Sequence, residues 1–317
     1  MSTVTVSDTS FVGSDRLLVG IVLSVLTFWL FAQSVINVVP AMKSSLDISL
    51  ETLTLAVSLS ALFSGCFVVA SGGLADKFGR MRMTTLGLGL SIIGSAMLVL
   101  AQGPGLFLAG RVLQGLSAAC IMPATLALIK TWYQGRARQR AVSFWVIGSW
   151  GGSGLCSFVG GAIATGLGWR WIFVFSIAVA LLALFLLRGT PESRSASASQ
   201  HKLDVGGLLS LIVGLVLVNL FISKGHGWGW ASPLSLSMLA GALIAGAVFI
   251  RSGLRKGEAA LIDFALFRNR AYGAAVLSNF LLNGAIGTMM IASIWLQQGH
   301  HLTPLESGMM TLGYLVT

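Results

Sequence analysis

Nine apolar runs, each near the length of a membrane-crossing helix, dominate the sequence: 17–39, 53–73, 83–101, 106–129, 141–163, 169–187, 205–222, 233–250 and 271–295. About 20 apolar residues carry a helix across a hydrocarbon core about 30 Å thick, and a helix satisfies its own backbone there without water. A tenth run starts near Leu305 and reaches Thr317. Of the 317 residues, 55% are hydrophobic and only 9% charged, against about 25% charged in a typical soluble domain. The expected fold is therefore an all-α, multi-pass membrane bundle with about nine complete spans and a partial tenth. The first run is too long for a signal-peptide core and follows Asp8, Asp15 and Arg16 instead of a basic leader, so it is expected to remain as a span.

The net charge of +10 could serve a nucleic-acid binder, but the basic residues fall in short clusters between the apolar runs. No nucleic-acid partner is expected; the partner is the lipid bilayer. With the N-terminus inside, sixteen of the twenty Lys and Arg face the cytoplasm, and only Lys43, Arg170 and Lys224 lie outside, with Arg111 inside a span. The positive-inside rule then gives a cytoplasmic N-terminus in the plasma or inner membrane. Trp169, Trp171, Trp228 and Trp230 fall at the outer edges and fit interfacial anchors. The Ser-rich stretch 188–202, RGTPESRSASASQHK, has the composition of a flexible linker. The expected organisation is a six-helix bundle over 1–187, a cytoplasmic linker over 188–204, two extra helices over 205–250, and the start of a second bundle over 251–317. Cys66, Cys120 and Cys156 all sit inside apolar segments without paired spacing, so they are expected to pack, not to bind metal or form disulfides. No phosphate-binding loop, HExxH or nucleophile elbow occurs. An enzyme is not expected, nor any cofactor or ATP drive.

Several short motifs carry more information. Residues 72–82, GGLADKFGRMR, place Gly72, Asp76, Lys77, Gly79 and Arg80 between the second and third runs. This resembles the cytoplasmic signature of the major facilitator superfamily, with Met81 departing from its last basic position. Arg111, Gln114 and Gly115 in RVLQG are similar to that superfamily's R-x-x-Q-G element. Gly148, Gly152, Gly160 and Gly161 resemble the glycine motif of its drug antiporters, with Cys156-Ser157 in place of a Gly-Pro pair. LIDFALFRNR (261–270), WLQQ (295–298) and TPLESG (303–308) resemble elements of the fourteen-helix drug:proton antiporter branch. WLFAQSVINVVP (29–40), GSWGGSG (148–154) and SNFLLNG (278–284) are similar to its quinolone-efflux members.

The resemblance implies a secondary active exporter of amphiphilic drugs, quinolones among them, exchanged for protons by alternating access around a midplane site. It also implies four helices beyond these residues, so the chain is expected to be truncated in its tenth helix and unable to pump alone. A metabolite facilitator or symporter of the same superfamily, or a non-transporting fragment, remains open.

Each motif has a chemical reading. By the resemblance, Asp76 latches the two halves by facing a helix N-terminus, an interaction of roughly 0.3–1 kcal/mol. The alternative is a solvated local pair with Arg80, worth little. No acid occurs between Asp76 and Glu192, so Arg80 is expected to have no other acid partner in the first bundle. Arg111 either snorkels outward or faces the interior with Gln114 and Gly115 beside it. Gly148, Gly152, Cys156 and Gly160 recur every four residues and give one smooth helix face, fit for plain packing or for sliding. Gln33, Ser34 and Asn37, with Phe31 beside them, bring polar groups into the first run and are the substrate-cavity candidates. No Asp, Glu or His lies deep in any run. A proton-coupled pump then titrates either at an edge carboxylate such as Glu51 or Glu306, or on helices not present in these residues.

Overall fold

Helices occupy the apolar runs, and small or helix-capping residues set their ends. The computed structural model describes residues 4–6, 11–36, 38–46, 48–195, 204–300 and 302–310. In chain order the helices are α1 Asp15–Ile36, α2 Val39–Leu46, α3 Leu50–Phe78, α4 Arg80–Leu100, α5 Pro104–Trp132, α6 Gly135–Val146, α7 Gly152–Gly166, α8 Arg170–Leu187, α9 Val205–Trp228, α10 Pro233–Lys256, α11 Arg270–Gly299 and α12 Pro304–Met310. Ser49 starts α3 by accepting from the Thr52 N–H at 3.2 Å. Pro104 and Pro233 open α5 and α10, where the missing N–H has no partner to lose. Gly257, with φ 55°, closes α10.

Among the described residues, six helices are long and apolar enough to cross a membrane: α3, α4, α5, α8, α9 and α10. α6 and α7 make a seventh if taken as one broken span, bent by 46°. α1 and α11 occupy the first and ninth apolar runs. The fifth run is thus not one smooth helix, because a π-helical turn at Ile147–Gly151 separates its halves.

The chain forms two compact units, Met1–Ser199 with Ser293–Thr317, and Gln200–Ala292. In the first, α5 is the central helix, with 61% of its apolar stretch buried. Leu98, Phe107, Trp169 and Phe173 fill one end of the unit, and Leu17, Ile21, Leu128 and Trp132 fill the other. Trp169 is therefore not an interfacial anchor. It is 5% exposed and meets Phe107 and Phe173 edge-on, whereas Trp171 is 50% exposed.

The stretch expected to be a free linker is partly tied down. Strand β1 Val4–Val6 pairs antiparallel with β2 Ser193–Ser195, while residues 196–203 lie outside those described. In the second unit α9 and α10 pack through small residues. A Cβ at Gly214 would sit 3.5 Å from the Ala245 methyl, the close approach that membrane helices use.

Candidate functional site

The corner between α3 and α4 is built around Gly79, whose φ of 125° and ψ of 135° suit glycine alone. It ends α3 and starts α4 in one residue, which brings Asp76 and Arg80 onto adjacent turns. The Asp76 carboxylate accepts from Arg80 Nε at 3.0 Å and from a terminal guanidinium nitrogen at 2.8 Å. Another terminal nitrogen donates to the Thr131 hydroxyl near the end of α5. Arg80 is buried while the Asp76 side chain is 42% exposed, so the pair is worth about 0.2–1 kcal/mol at most. Lys77 is exposed beside the Phe78 ring, and Gly72 passes Pro123 of α5 at ordinary contact distance.

A carboxylate does cap this corner, and it comes from far along the chain. Glu192 accepts from the backbone N–H of Met81 at 2.9 Å and of Arg82 at 3.0 Å, the first amides of α4. Those amides have no partner within their own helix, and a negative charge is favourable at that end. A Cβ on Gly79 would collide with this carboxylate. At the other end of α4, Arg170 donates to the carbonyls of Val99 at 3.2 Å and Ala101 at 3.0 Å.

Arg111 lies in the interior, fully buried, and does not snorkel. Its guanidinium donates to Gln114 Oε1 at 2.9 Å, to the Ser60 hydroxyl at 2.7 Å and, through Nε, to the Ala56 carbonyl at 3.1 Å. Gln114 passes the network on, donating to the Ser95 hydroxyl of α4 at 3.2 Å. Arg111 is the eighth of the 29 residues of α5, short of its centre; even the central cost of about 2.5–3.5 kcal/mol on insertion scales is offset by three charged hydrogen bonds of roughly 1.5–3 kcal/mol each. Gly115 makes this possible, because a Cβ there would stand 2.5 Å from the Ser60 carbonyl. The glycine lets α3 approach α5 closely enough for Ser60 to reach the arginine.

The glycine face of α7 and of the π turn lies against α1. Cβ atoms would crowd Val22 from Gly148, Leu26 and Trp29 from Gly152, and Ser34 from Gly160. Gly161 faces elsewhere, toward the Pro304 backbone. Ser34, expected to line a cavity, is instead fully buried in this contact and donates to the Cys156 carbonyl at 2.6 Å. A hydroxyl in a tight helix contact finds its acceptor across the interface, not in open space. Asn37 lies outside the described residues, as do the side chains of Phe31 and Gln33. Glu51 and Glu306 stand in the first turns of α3 and α12, and Glu306 accepts from the Thr303 N–H at 2.7 Å.

The motif residues therefore form three clusters in one unit: the α3–α4 corner, the Arg111 network and the α1–α7 face. Sequence reasoning missed Glu192, Thr131, Ser60 and Ser95. Serines inside apolar runs were a usable signal for the last two, since buried hydroxyls need partners.

A sequence profile of the Major Facilitator Superfamily matches residues 17–317. The quinolone resistance proteins NorB of Staphylococcus aureus strains MRSA252 and N315 are each 51% identical over 307 residues, covering 97% of this chain. The chain spans 66% of the length of these relatives. Among solved structures, a bacterial homolog of the human lysosomal transporter Spinster, inward-facing and occupied, superposes with a TM-score of 0.51 at 20% identity. That match covers 78% of this chain and 62% of the other, and it speaks for the fold. With the profile match, the two relatives and the long apolar helices together, this chain belongs to the Major Facilitator Superfamily of multi-pass cell-membrane transporters.

Proposed function

We propose that the chain serves multidrug efflux of the quinolone type, as a secondary active exporter exchanging drug for protons. The supporting observation is the 51% identity to a quinolone resistance protein over 97% of this chain. In this reading small amphiphilic drugs and protons are the partners, and the N-terminus is cytoplasmic. Residues 1–187 form the first six-helix bundle, 188–204 the linker, 205–250 two additional helices and 251–317 the start of the second bundle.

The clusters have distinct roles in that cycle. The Asp76–Arg80 corner biases the balance between inward- and outward-facing states, because its weak pair can form and break within a cycle. Gly72, Lys77 and Gly79 shape that corner. Arg111, Gln114 and Gly115 hold a positive centre inside the bundle. Gly148, Gly152, Gly160 and Gly161 keep the fifth span in close, smooth contact with its neighbours. Phe31, Gln33 and Asn37 contact drug.

Because the chain covers 66% of its relatives' length, the transport test joins residues 1–317 to the part of the S. aureus protein beyond the matched region. Energised vesicles carrying this chimera should accumulate a fluorescent quinolone, and a protonophore should abolish the uptake. Asp76→Asn should slow transport far more than it weakens drug binding. A membrane-inserted chimera that moves no quinolone, or moves it regardless of the proton gradient, refutes the reading. Orientation is tested separately with an impermeant thiol reagent on intact cells. Cysteine at Lys224 should label, and cysteine at Lys202 or Arg255 should not.

A further inference from the structure

The last turns of α10 carry a basic stripe that the transport reading leaves unused. Val248, Arg251, Ser252 and Arg255 recur at helical spacing and so share one face. With Lys256 they line a cavity of about 300 Å³. Arg251 and Arg255 are exposed, and neither makes an ion pair among the described residues. The buried carboxylate paired with Lys256 is already engaged. Asp204 accepts from Lys256 Nζ at 2.6 Å, from Gly207 N–H at 2.8 Å and from Leu261 N–H at 3.2 Å, with its side chain only 3% exposed. Two like charges four residues apart on a helix repel each other, and among the described residues no carboxylate pairs with either arginine of the stripe.

Its position says which anion. Val248, Ile250 and Leu254 are exposed apolar residues of the same helix turns. The guanidinium pair thus stands where the apolar surface of a helix long enough to cross a membrane meets its polar end, the part of such a helix that meets lipid headgroups. Arginine grips phosphate oxygens two at a time, and basic side chains near an anionic leaflet are attracted to it. We propose that this groove binds the phosphate headgroup of an anionic glycerophospholipid, with Arg251 and Arg255 on the phosphate and Val248 against the first acyl methylenes.

Native mass spectrometry on the purified full chain, titrated with phosphatidylglycerol or phosphatidylcholine, tests this. Taking roughly fivefold per basic side chain at a membrane surface, the Arg251→Gln/Arg255→Gln double variant should lose about twenty-fivefold in phosphatidylglycerol retention. Phosphatidylcholine binding should be unchanged, and the Arg251→Lys/Arg255→Lys variant should retain most of the preference. Val248→Glu leaves both arginines in place but puts a carboxylate in the groove, and it too should expel phosphatidylglycerol. That variant carries the test if the double glutamine variant fails to fold. Undiminished phosphatidylglycerol retention in the variant read overturns the site. Displacement by inorganic phosphate at matched concentration overturns the lipid assignment in favour of a free-anion site.

Discussion

Replacing Glu192 with alanine should loosen the first turn of α4 without disturbing the rest of that helix. The carboxylate takes the Met81 and Arg82 N–H groups at 2.9 and 3.0 Å, and neither amide has an intrahelical acceptor to fall back on. Removing a side-chain cap costs about 0.5–2 kcal/mol, and losing a carboxylate from a helix N-terminus costs about 0.3–1 kcal/mol. The two terms overlap, so about 1–2 kcal/mol is expected in total, a five- to thirtyfold change in the opening equilibrium. Hydrogen–deuterium exchange reads it directly, as faster exchange at Met81 and Arg82 by that factor. The Thr52 amide, capped by its own Ser49, is the internal control and should not change. Glu192→Gln keeps one acceptor oxygen and loses the charge, so it should fall between the two. Gly79→Ala should reproduce the alanine result, since its Cβ would occupy the place of the carboxylate. Unchanged exchange at Met81 and Arg82 in Glu192→Ala would show that this cap does not hold the corner.

Gly115→Ala should destabilise the first unit by about 1–3 kcal/mol, the usual effect of overpacking, because its Cβ would meet the Ser60 carbonyl at 2.5 Å. Gly65→Ala, inside α3 where nothing lies within 4 Å, should leave the thermal midpoint unchanged or slightly raised, since alanine is the better helix former; an equal drop for both would refute the close-contact account. Burial alone would raise the Asp204 carboxyl, but the Lys256 hydrogen bond, the Gly207 and Leu261 amides and the Lys256 charge outweigh it and hold it below the usual range. Its stabilisation is therefore complete above the ordinary aspartate value of about 3.9 and fades as pH falls through the lower folded value. Asp204→Asn should flatten the acid limb of the α9–α10 unfolding profile, and an unaltered limb would refute it.

How much of this was legible depends on whether the signal lies along the chain or across it. The spans follow from hydropathy, and the helix ends from Ser49, Pro104, Pro233 and Gly257, because these act on their own neighbours in sequence. Arg111 is conspicuous because a charge in an apolar run must find polar company, although its acceptors on α3 leave no periodic mark. Trp169 and Trp171 look equivalent by composition, and only the tertiary contacts with Phe107 and Phe173 separate them. The π turn at Ile147–Gly151 was hidden for a related reason. Glycines at a four-residue interval describe a smooth face whether or not one hydrogen-bond register slips.

Glu192 shows the same limit most clearly and also what lies behind it. Arg170 and Glu192 flank α8, at its start and just past its end. At about 1.5 Å per residue, the 18 residues of α8 nearly match the 21 of α4. Arg170 therefore reaches the carbonyl end of α4 while Glu192 reaches its amide end. A cation at the negative pole and an anion at the positive pole are each favourable. Together they fix the register of α8 against α4 without placing a charge inside the apolar stretch of either helix.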